Sequence, residues 1–274
     1  MFSYEHTHAT RPDLNCHIEV GVDTIRIGFF AWEQSWLQRS RLKKKGWKYR
    51  SDWKCWLKHH ESTGMRWRHW RQWIDVEVSL PRVIGPNNSS MNYDPWAALA
   101  SIRKQLDADI ELELTDSEFR SPDWDEWCVS RVDITADLTF EQATEVSRIM
   151  KGLPTAKMTH RPHRWDRPDS VKWSSKAKRV AFSIYDKYKK DQREIDKGKL
   201  RATVIFNERR NKPHLTEHGM RRVTGLFDSD DIKFLDIIVS EINRIRPKLR
   251  VASLRYLLEQ AAKNGENAGS KNKS

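Results

Sequence analysis

An α+β fold, a largely antiparallel sheet with helices packed on one face, is predicted by three features of the 274-residue chain. Short runs such as IDVEVSL and CVSRVDITADL alternate apolar and polar residues with the period of two that marks a half-buried strand. Other stretches carry apolar residues three and four apart, as amphipathic helices require. The segments then follow one another as strand, helix, strand, strand, helix, strand, with helices closing the chain, which is the order of an α+β protein.

Residues 17–30, HIEVGVDTIRIGFF, read as strands around a turn at Gly21 to Asp23. Between 32 and 73 lie eight of the 13 Trp residues, interleaved with Lys and Arg. Turn positions at Gly46 and Ser51-Asp52 predict twisted hairpins there. In residues 74–80, Ile74, Val76, Val78 and Leu80 share one face, and Asp75, Glu77 and Ser79 the other. An Asn-, Pro- and Ser-rich loop follows. Asp94 caps a helix with Pro95 at its first position and a buried stripe of Leu99, Ile102 and Leu106.

Residues 110–114 suggest a short strand, and 128–138 a longer one with Val132 and Ile134 inward and Arg131, Asp133 and Thr135 outward. Thr139 and Gln142 form a capping-box pattern ahead of a helix with apolar Phe140, Ala143, Val146 and Ile149. A basic loop, THRPHRWDRP, leads to VKWSS and then to RVAFSIYDKYKK, where Val180, Phe182 and Ile184 alternate with Ala181, Ser183 and Tyr185. LRATVIFNE, 200–208, is a further strand. The rest is helical: one helix stops at Pro247, a second ends near Gly265, and a polar tail follows. The expected organisation is a domain over 1–225, including the Trp-rich hairpins of about 32–73, C-terminal helices over 226–264, and a disordered tail over 265–274.

The charge balance, 50 Lys+Arg against 38 Asp+Glu for a net +12, attracts polyanions, of which nucleic acid is the usual one. An anionic membrane surface satisfies the same arithmetic. No apolar run is long enough to span a bilayer, and the N-terminus lacks a signal-peptide core. Cys16, Cys55 and Cys128 have neither a disulfide nor a zinc spacing, so a reducing, cytoplasmic setting is expected. Basic residues among aromatics suit bases stacked on rings beside phosphates. The plain alternative is that the Trp side chains fill a core under Lys and Arg stems.

Period two also predicts chemistry. With helices on the apolar face, Asp75, Glu77, Arg131, Asp133, Ser183 and Tyr185 point to the other one. Carboxylates, a guanidinium and a phenol on neighbouring strands are the parts of a metal-assisted phosphoryl transfer: carboxylates hold a cation, the cation polarises a phosphate, and the phenol attacks. Lys187, with the same strand parity, supplies positive charge to lower the phenol's ordinary pKa of about 10. Tyr188 competes for the nucleophile's role. Each part also has a structural reading, and Asp133 pairs readily with Arg131.

SRVDITADL, a helix, VKWSSKAKRVAFSIYDKYKK and LRATVIFNERRNKPHLTEHGM resemble, in that order, the filamentous-phage replication initiators of the gene II/X type, distant relatives of plasmid rolling-circle initiators. VEVSLPRVIGPNNSSMNYDPWAALASIRKQL resembles the family's upstream strand, loop and helix, so the similarity spans roughly 17 to 225. The resemblance implies that Tyr185 is the nucleophile, with Lys187 beside it and Arg131–Asp133 as the family's Arg–Asp pair. It further implies a divalent-metal-dependent nickase that leaves a 3′ hydroxyl for a polymerase, stays on the 5′ phosphate, and rejoins the displaced strand.

Glu77, Asp133 and Glu208 are the candidate ligands of Mg²⁺ or Mn²⁺. Arg131, Arg179, Lys190, Arg209, Arg210, Trp67 and Trp70 are the candidate DNA contacts. Two departures stand out: where the family carries Glu soon after its Arg, Arg201 is followed by Ala202, Thr203 and Val204, and the chain is short for an initiator. There is no His-hydrophobe-His motif; His6, His8, His160 and His163 read as structural or DNA-contacting. The partners implied are origin DNA, duplex and single-stranded, and a host helicase and polymerase, with no membrane. The amphipathic helix near 230–246 either packs on its own sheet or forms a homodimer seam. A non-catalytic origin-binding protein and a nuclease activating water are the alternatives.

Overall fold

The computed structural model describes residues 3–6, 16–30, 39–44, 46–70, 73–85, 87–110, 123–153, 163–167, 169–175, 180–207, 220, 222–227 and 231–244. In chain order the elements are β1 (Ser3–His6), β2 (Cys16–Phe30), α1 (Arg39–Lys44), β3 (Lys48–Arg50), β4 (Cys55–His59), β5 (Arg66–Trp70), β6 (Trp73–Ser79), α2 (Leu80–Ile84), α3 (Pro95–Ile110), β7 (Cys128–Phe140), α4 (Ala143–Gly152), β8 (His163–Arg167), β9 (Ser170–Ser174), β10 (Val180–Asp186), α5 (Lys187–Asp191), β11 (Lys199–Asn207), α6 (Val223–Phe227) and α7 (Asp231–Asn243). A single 3₁₀ turn, Glu194–Asp196, precedes β11.

The fold is α+β, as the periodicities require. Among the described residues, eleven strands join in one sheet, ordered β3-β4-β5-β6-β2-β7-β11-β10-β9-β8 with β1 on β2. Every described pairing is antiparallel.

The longest strand, β2, replaces the two strands expected around Gly21 to Asp23. Its length lets β7 run along one edge while β1 and β6 share the other in succession. The Gly-Val-Asp sequence that suggested a turn is a β-bulge: Val22 faces Ile134, Thr24 faces Asp133, and Asp23 is the extra residue. The side-chain parity slips by one there. Ile18, Val20 and Val22 face the core before it, and Ile25, Ile27 and Phe29 after it, so both halves keep their apolar residues inward.

Strands β7, β11, β10 and β6 continue that apolar face with Val132 and Ile134, Ala202 and Val204, Phe182 and Ile184, and Val76 and Val78. Helices α3, α4 and α7 contribute Leu99, Ile102 and Leu106; Val146 and Ile149; and Leu235 and Ile238 to the same cluster. Helix α3 begins as expected, the Asp94 carboxylate accepting from the Trp96 N–H at 2.9 Å.

Two expectations fail locally. Thr139 and Phe140 belong to β7 rather than to a capping box, because Thr139 pairs with Lys199 and the Phe140 N–H donates to the Gly198 carbonyl at 2.9 Å. The ladder outweighs the local cap pattern. Helix α4 therefore starts at Ala143, which is exposed, and its buried stripe is Val146, Ile149 and Met150. HRWDR, read as loop, forms β8 against β9. The expected short strand at 110–114 lies, beyond Ile110 at the end of α3, outside the described residues, as do the helix after Pro247 and the tail.

Candidate functional site

On the face opposite the helices, the registers place Glu19, Asp137, Arg201, Tyr185 and Ser170 in one row across β2, β7, β11, β10 and β9. Its centre is Arg201, a guanidinium with no exposed surface. Arg201 grips the Asp137 carboxylate with two N–H donors, at 2.5 and 2.6 Å. A third donates to Asp23 at 3.2 Å, and one more contact reaches the Asn88 carbonyl at 2.7 Å. Asp23 arrives there because the bulge turns it to this face, and Ser79 donates to its other oxygen at 2.8 Å. Burial opposes Arg201's charge, but Asp137, Tyr185 and Asp23 overcome it and hold the guanidinium protonated.

Tyr185 is buried, with 8% of its surface exposed. Burial raises its phenol well above the usual tyrosine value, with the Arg201 guanidinium pulling against the shift. The Lys190 ammonium lies over its ring, 3.8 Å from the centroid. Lys187 starts α5 instead of continuing the strand, so the expected strand parity does not bring it to the phenol. Its buried ammonium donates to Asn88 Oδ1 at 3.3 Å and to Asp191 at 3.0 Å. Burial, reinforced by the field of Arg201, lowers its pKa. Tyr188 points elsewhere, its hydroxyl donating to Glu194 at 3.0 Å.

The face is not open here. The loop between α2 and α3 crosses it, tied down residue by residue. Beyond the Asn88 contacts, Ser89 donates to Asp196 at 3.2 Å, Ser90 and the Met91 N–H reach Glu19 at 3.0 and 3.1 Å, and the Tyr93 hydroxyl donates to the Val22 carbonyl. Lys199 donates to the Ser89 carbonyl, closing the network beside β11.

A second charged cluster sits further along the same face, in the row Arg66, Glu77, Arg26, Arg131 and Asn207 across β5, β6, β2, β7 and β11. Arg131 forks onto Asp133 at 2.8 and 2.7 Å and donates to Glu77 at 2.8 Å. Arg26 holds Glu77 from the other side at 2.8 Å. Burial alone would raise Glu77, but Arg26 and Arg131 outweigh it and hold it below the carboxylate range. For Asp133 burial wins, and its pKa rises against the pull of Arg131.

Glu77 and Asp133, the two described members of the expected metal set, thus converge on a guanidinium rather than on a free coordination position. Among the described residues no three His, Cys, Asp or Glu groups gather into a metal-binding cluster. A hard divalent cation needs several oxygens free to face it. The described donors, engaged by arginine, do not fit the ion. Glu208 lies outside the described residues, as do Arg179, Arg209 and Arg210.

Of the candidate DNA contacts, Trp67 has no exposed surface and fills the core of the hairpin region, so it cannot stack on a base as it stands. The period of two accounts for this: Trp67 shares the inward parity with His69, while Arg66, Arg68 and Trp70 face outward. Trp70 is 42% exposed. Lys190 is exposed on α5. Arg201, Asp137, Asp23 and Asn88 were not singled out from the sequence as site residues. The signal for Asp23 was the parity slip in β2; the signal for Asp137 and Arg201 was a charge at an outward position of a strand otherwise buried.

Comparison with known proteins adds a likeness. The profile for the N-terminal part of the replication-associated protein of phage gene II matches residues 90–223. A solved structure, that of a rolling circle replication initiator protein from Geobacillus stearothermophilus, superposes with a TM-score of 0.41 at 10% identity, over 85% of this chain and 88% of that one. No curated protein sequence matches the chain.

Proposed function

We propose that the chain, whose residues 90–223 match the model of the phage gene II replication-associated protein, N-terminal part, is a phage-type replication initiator that starts rolling-circle synthesis by nicking one origin strand with Tyr185. The observation that carries this reading is the phenol's setting: Tyr185 stands in register with the buried Arg201 guanidinium and under the Lys190 ammonium. The Arg201 guanidinium works against the burial that keeps the phenol protonated, and together with the Lys190 ammonium it offers positive charge to a phosphate in the same place.

In the proposed step the Tyr185 oxygen attacks the scissile phosphorus. The phosphorus–O3′ bond breaks, the proton lost by the phenol is made good on O3′, which leaves as the 3′ hydroxyl, and the 5′ phosphate stays on the tyrosine. Asp23 and Asp137 are the carboxylates whose field reaches the phenol; their part is to fix Arg201 and so the charge beside the reacting oxygen. Rejoining is the same step reversed by a returning 3′ hydroxyl. Because Tyr185 is covered, attack requires Lys190 or the strap over the face to shift as DNA enters. No part of this step rests on the divalent ion, which Glu77 and Asp133, engaged by arginine, do not fit.

A second reading has its own support. The covered phenol and the arginine-locked carboxylates suit an origin-binding protein that never cuts.

The experiment incubates the full chain with overlapping single-stranded oligonucleotides tiled across the replicon that encodes it, with Mg²⁺, Mn²⁺ or EDTA, and resolves the products on a denaturing gel. A denaturant-resistant protein–DNA band, lost in Tyr185→Phe and kept in Tyr188→Phe, is expected, and the EDTA lane reads the ion requirement. Intact DNA binding with no adduct in any lane assigns the chain to the non-cutting reading. Cleavage that leaves free 5′ phosphates and ignores Tyr185→Phe assigns the reaction to water.

A further inference from the structure

Outside the matched family segment, the described part of the Trp-rich region ends in an arrangement that core packing does not explain. Trp70, Trp73 and Phe30 are register partners on β5, β6 and β2, and all three carry the outward parity of the face that holds Tyr185. Trp70 and Phe30 are 42% and 40% exposed. Phe30 and Trp73 meet edge to face, 4.9 Å between centroids. Exposed rings side by side on a sheet face are open to contact from solution.

The rings are also fixed. Asp75, only 2% exposed, accepts from both indoles, Trp70 Nε1 at 3.1 Å and Trp73 Nε1 at 3.2 Å. Its other oxygen takes Arg68 Nε at 2.6 Å, and the Arg68 guanidinium lies 5.8 Å from the Trp70 ring centroid. Each indole has a single donor, so tying both to one buried carboxylate sets the tilt of both rings. Gly28 makes the room. A Cβ there would meet Asp75 Cβ at 2.7 Å and the Trp73 ring at 2.9 Å, so the backbone beneath the platform must be bare.

We propose that Trp70 and Trp73, aligned by Asp75 and Arg68, form with Phe30 a stacking platform for unpaired bases of the DNA strand handled at Tyr185. The proposal rests on the reading of the chain as a DNA-acting initiator. Bases suit the surface better than an apolar partner does. The platform is bordered on its own face by a row in which Arg66, Arg26 and Arg131 outnumber the single Glu77, a net positive edge that matches a phosphate backbone running beside stacked bases. Rings fixed before binding lose little entropy on contact, and π-faces accept any base, so the platform grips without reading sequence. By strand rise and spacing it lies roughly 35–40 Å from Tyr185, about ten to twelve nucleotides at duplex rise. It would therefore hold the strand away from the nick and not at it. Asp75 is a positioning residue here, touching the rings and not the DNA.

The test measures binding of the full chain to an oligothymidylate and to a duplex of mixed sequence at one salt concentration. Trp70→Ala and Phe30→Ala remove exposed rings and leave the core intact. Each is expected to weaken single-strand binding roughly five- to hundred-fold while duplex binding holds. Trp70→Phe is expected to restore most of the loss, and Trp96→Ala, an exposed Trp on α3, to cause none. Asp75→Asn is expected to lower the ratio of single-strand to duplex affinity. Equal losses on both DNAs, or none on either, overturn the proposal; so does a dimer of the chain that Trp70→Ala dissociates, which gives the platform to a second copy. The adduct at Tyr185 is scored separately, so a chain that nicks but ignores Trp70→Ala fails here alone, and a chain that shows the selective loss without an adduct fails only as a nickase.

Discussion

Two arginine–carboxylate clusters share one face of the sheet and differ mainly in their access to water. Around Arg201, both the guanidinium and Asp137 have no exposed side-chain surface. Around Arg131, the guanidinium is 23% and Glu77 18% exposed. The first cluster cannot trade partners without leaving a charge in a medium that solvates it badly, so it behaves as a fixed part of the fold. The second can release Glu77 as another anion approaches, because water and phosphate both reach it. A phosphate backbone is such an anion. The same residue types thus build a rigid support beside the phenol and an exchangeable contact a few residues along the strands.

The sharpest way to break this contrast is Arg201→Met. It strands the Asp137 carboxylate in the interior, and the loss of one partner from a buried pair costs about 3–5 kcal/mol. Chemical denaturation of the variant is expected to show that loss, and the adduct at Tyr185 is expected to vanish with the cation beside it. Arg131→Met, by the same measurement, is expected to cost less, about 1–3 kcal/mol, since Glu77 keeps Arg26 and only the buried Asp133 loses its partner. Equal costs for the two would mean that burial is not what separates the clusters.

Glu77→Gln sharpens the other side. It removes the anion held between Arg26 and Arg131, so DNA binding should tighten and the salt slope should steepen by about 0.9, one extra phosphate neutralised. The effect also carries a sign with pH. Glu77 is held below its ordinary value in the folded chain, so its stabilisation is present above the unfolded carboxylate range and lost as pH falls through the folded value. The stability gap between wild type and Glu77→Gln should therefore narrow as the solution is acidified below that range. Asp133, raised by burial, contributes in the opposite sense: its share is present in acid and lost as pH rises through its folded value.

Tyr185 gives a smaller effect at the other end of the scale. Its folded pKa is raised by burial. The stability linked to it is complete below the unfolded value of about 10 and drains away as pH climbs from there toward the folded value. Tyr185→Phe should flatten the alkaline limb of a denaturation series without moving the neutral one.

How much of this was legible follows from which forces are local. Strands β6, β7, β10 and β11 declared themselves because one face is buried, and period two then fixes the outward set, Glu77, Asp133 and Tyr185 among them. What those residues touch was not legible. Arg201 meets Asp137 and Asp23 across strands distant in sequence, and a strand's pattern carries no information about its neighbour. Asp23 was hidden by its own chemistry: Gly-Val-Asp reads as a turn, and only the apolar residues on either side, in phase with a bulge and out of phase with a hairpin, argue otherwise. Thr139 and Gln142 make the same point in reverse, since a cap of about 1 kcal/mol yields to several ladder hydrogen bonds. Tyr185 and Lys187, placed together by sequence, separate because Asp186 ends the strand, its carboxylate accepting from the Lys189 N–H at 3.1 Å to cap α5.

That cap also settles what to expect of the second tyrosine, the smallest effect of the series. Tyr188 lies three residues beyond Tyr185 but one turn into α5, and its hydroxyl faces Glu194 instead of Arg201. Glu194 raises its pKa through that hydrogen bond and its charge, so no cation favours its phenolate. A hydroxyl facing an exposed carboxylate in water forfeits little when removed, because water replaces the bond. Tyr188→Phe should leave the melting temperature and the adduct yield at the wild-type level. An adduct lost in Tyr188→Phe and kept in Tyr185→Phe would move the nucleophile out of the buried row and onto the helix, and would leave the Arg201 cluster with a purely structural task.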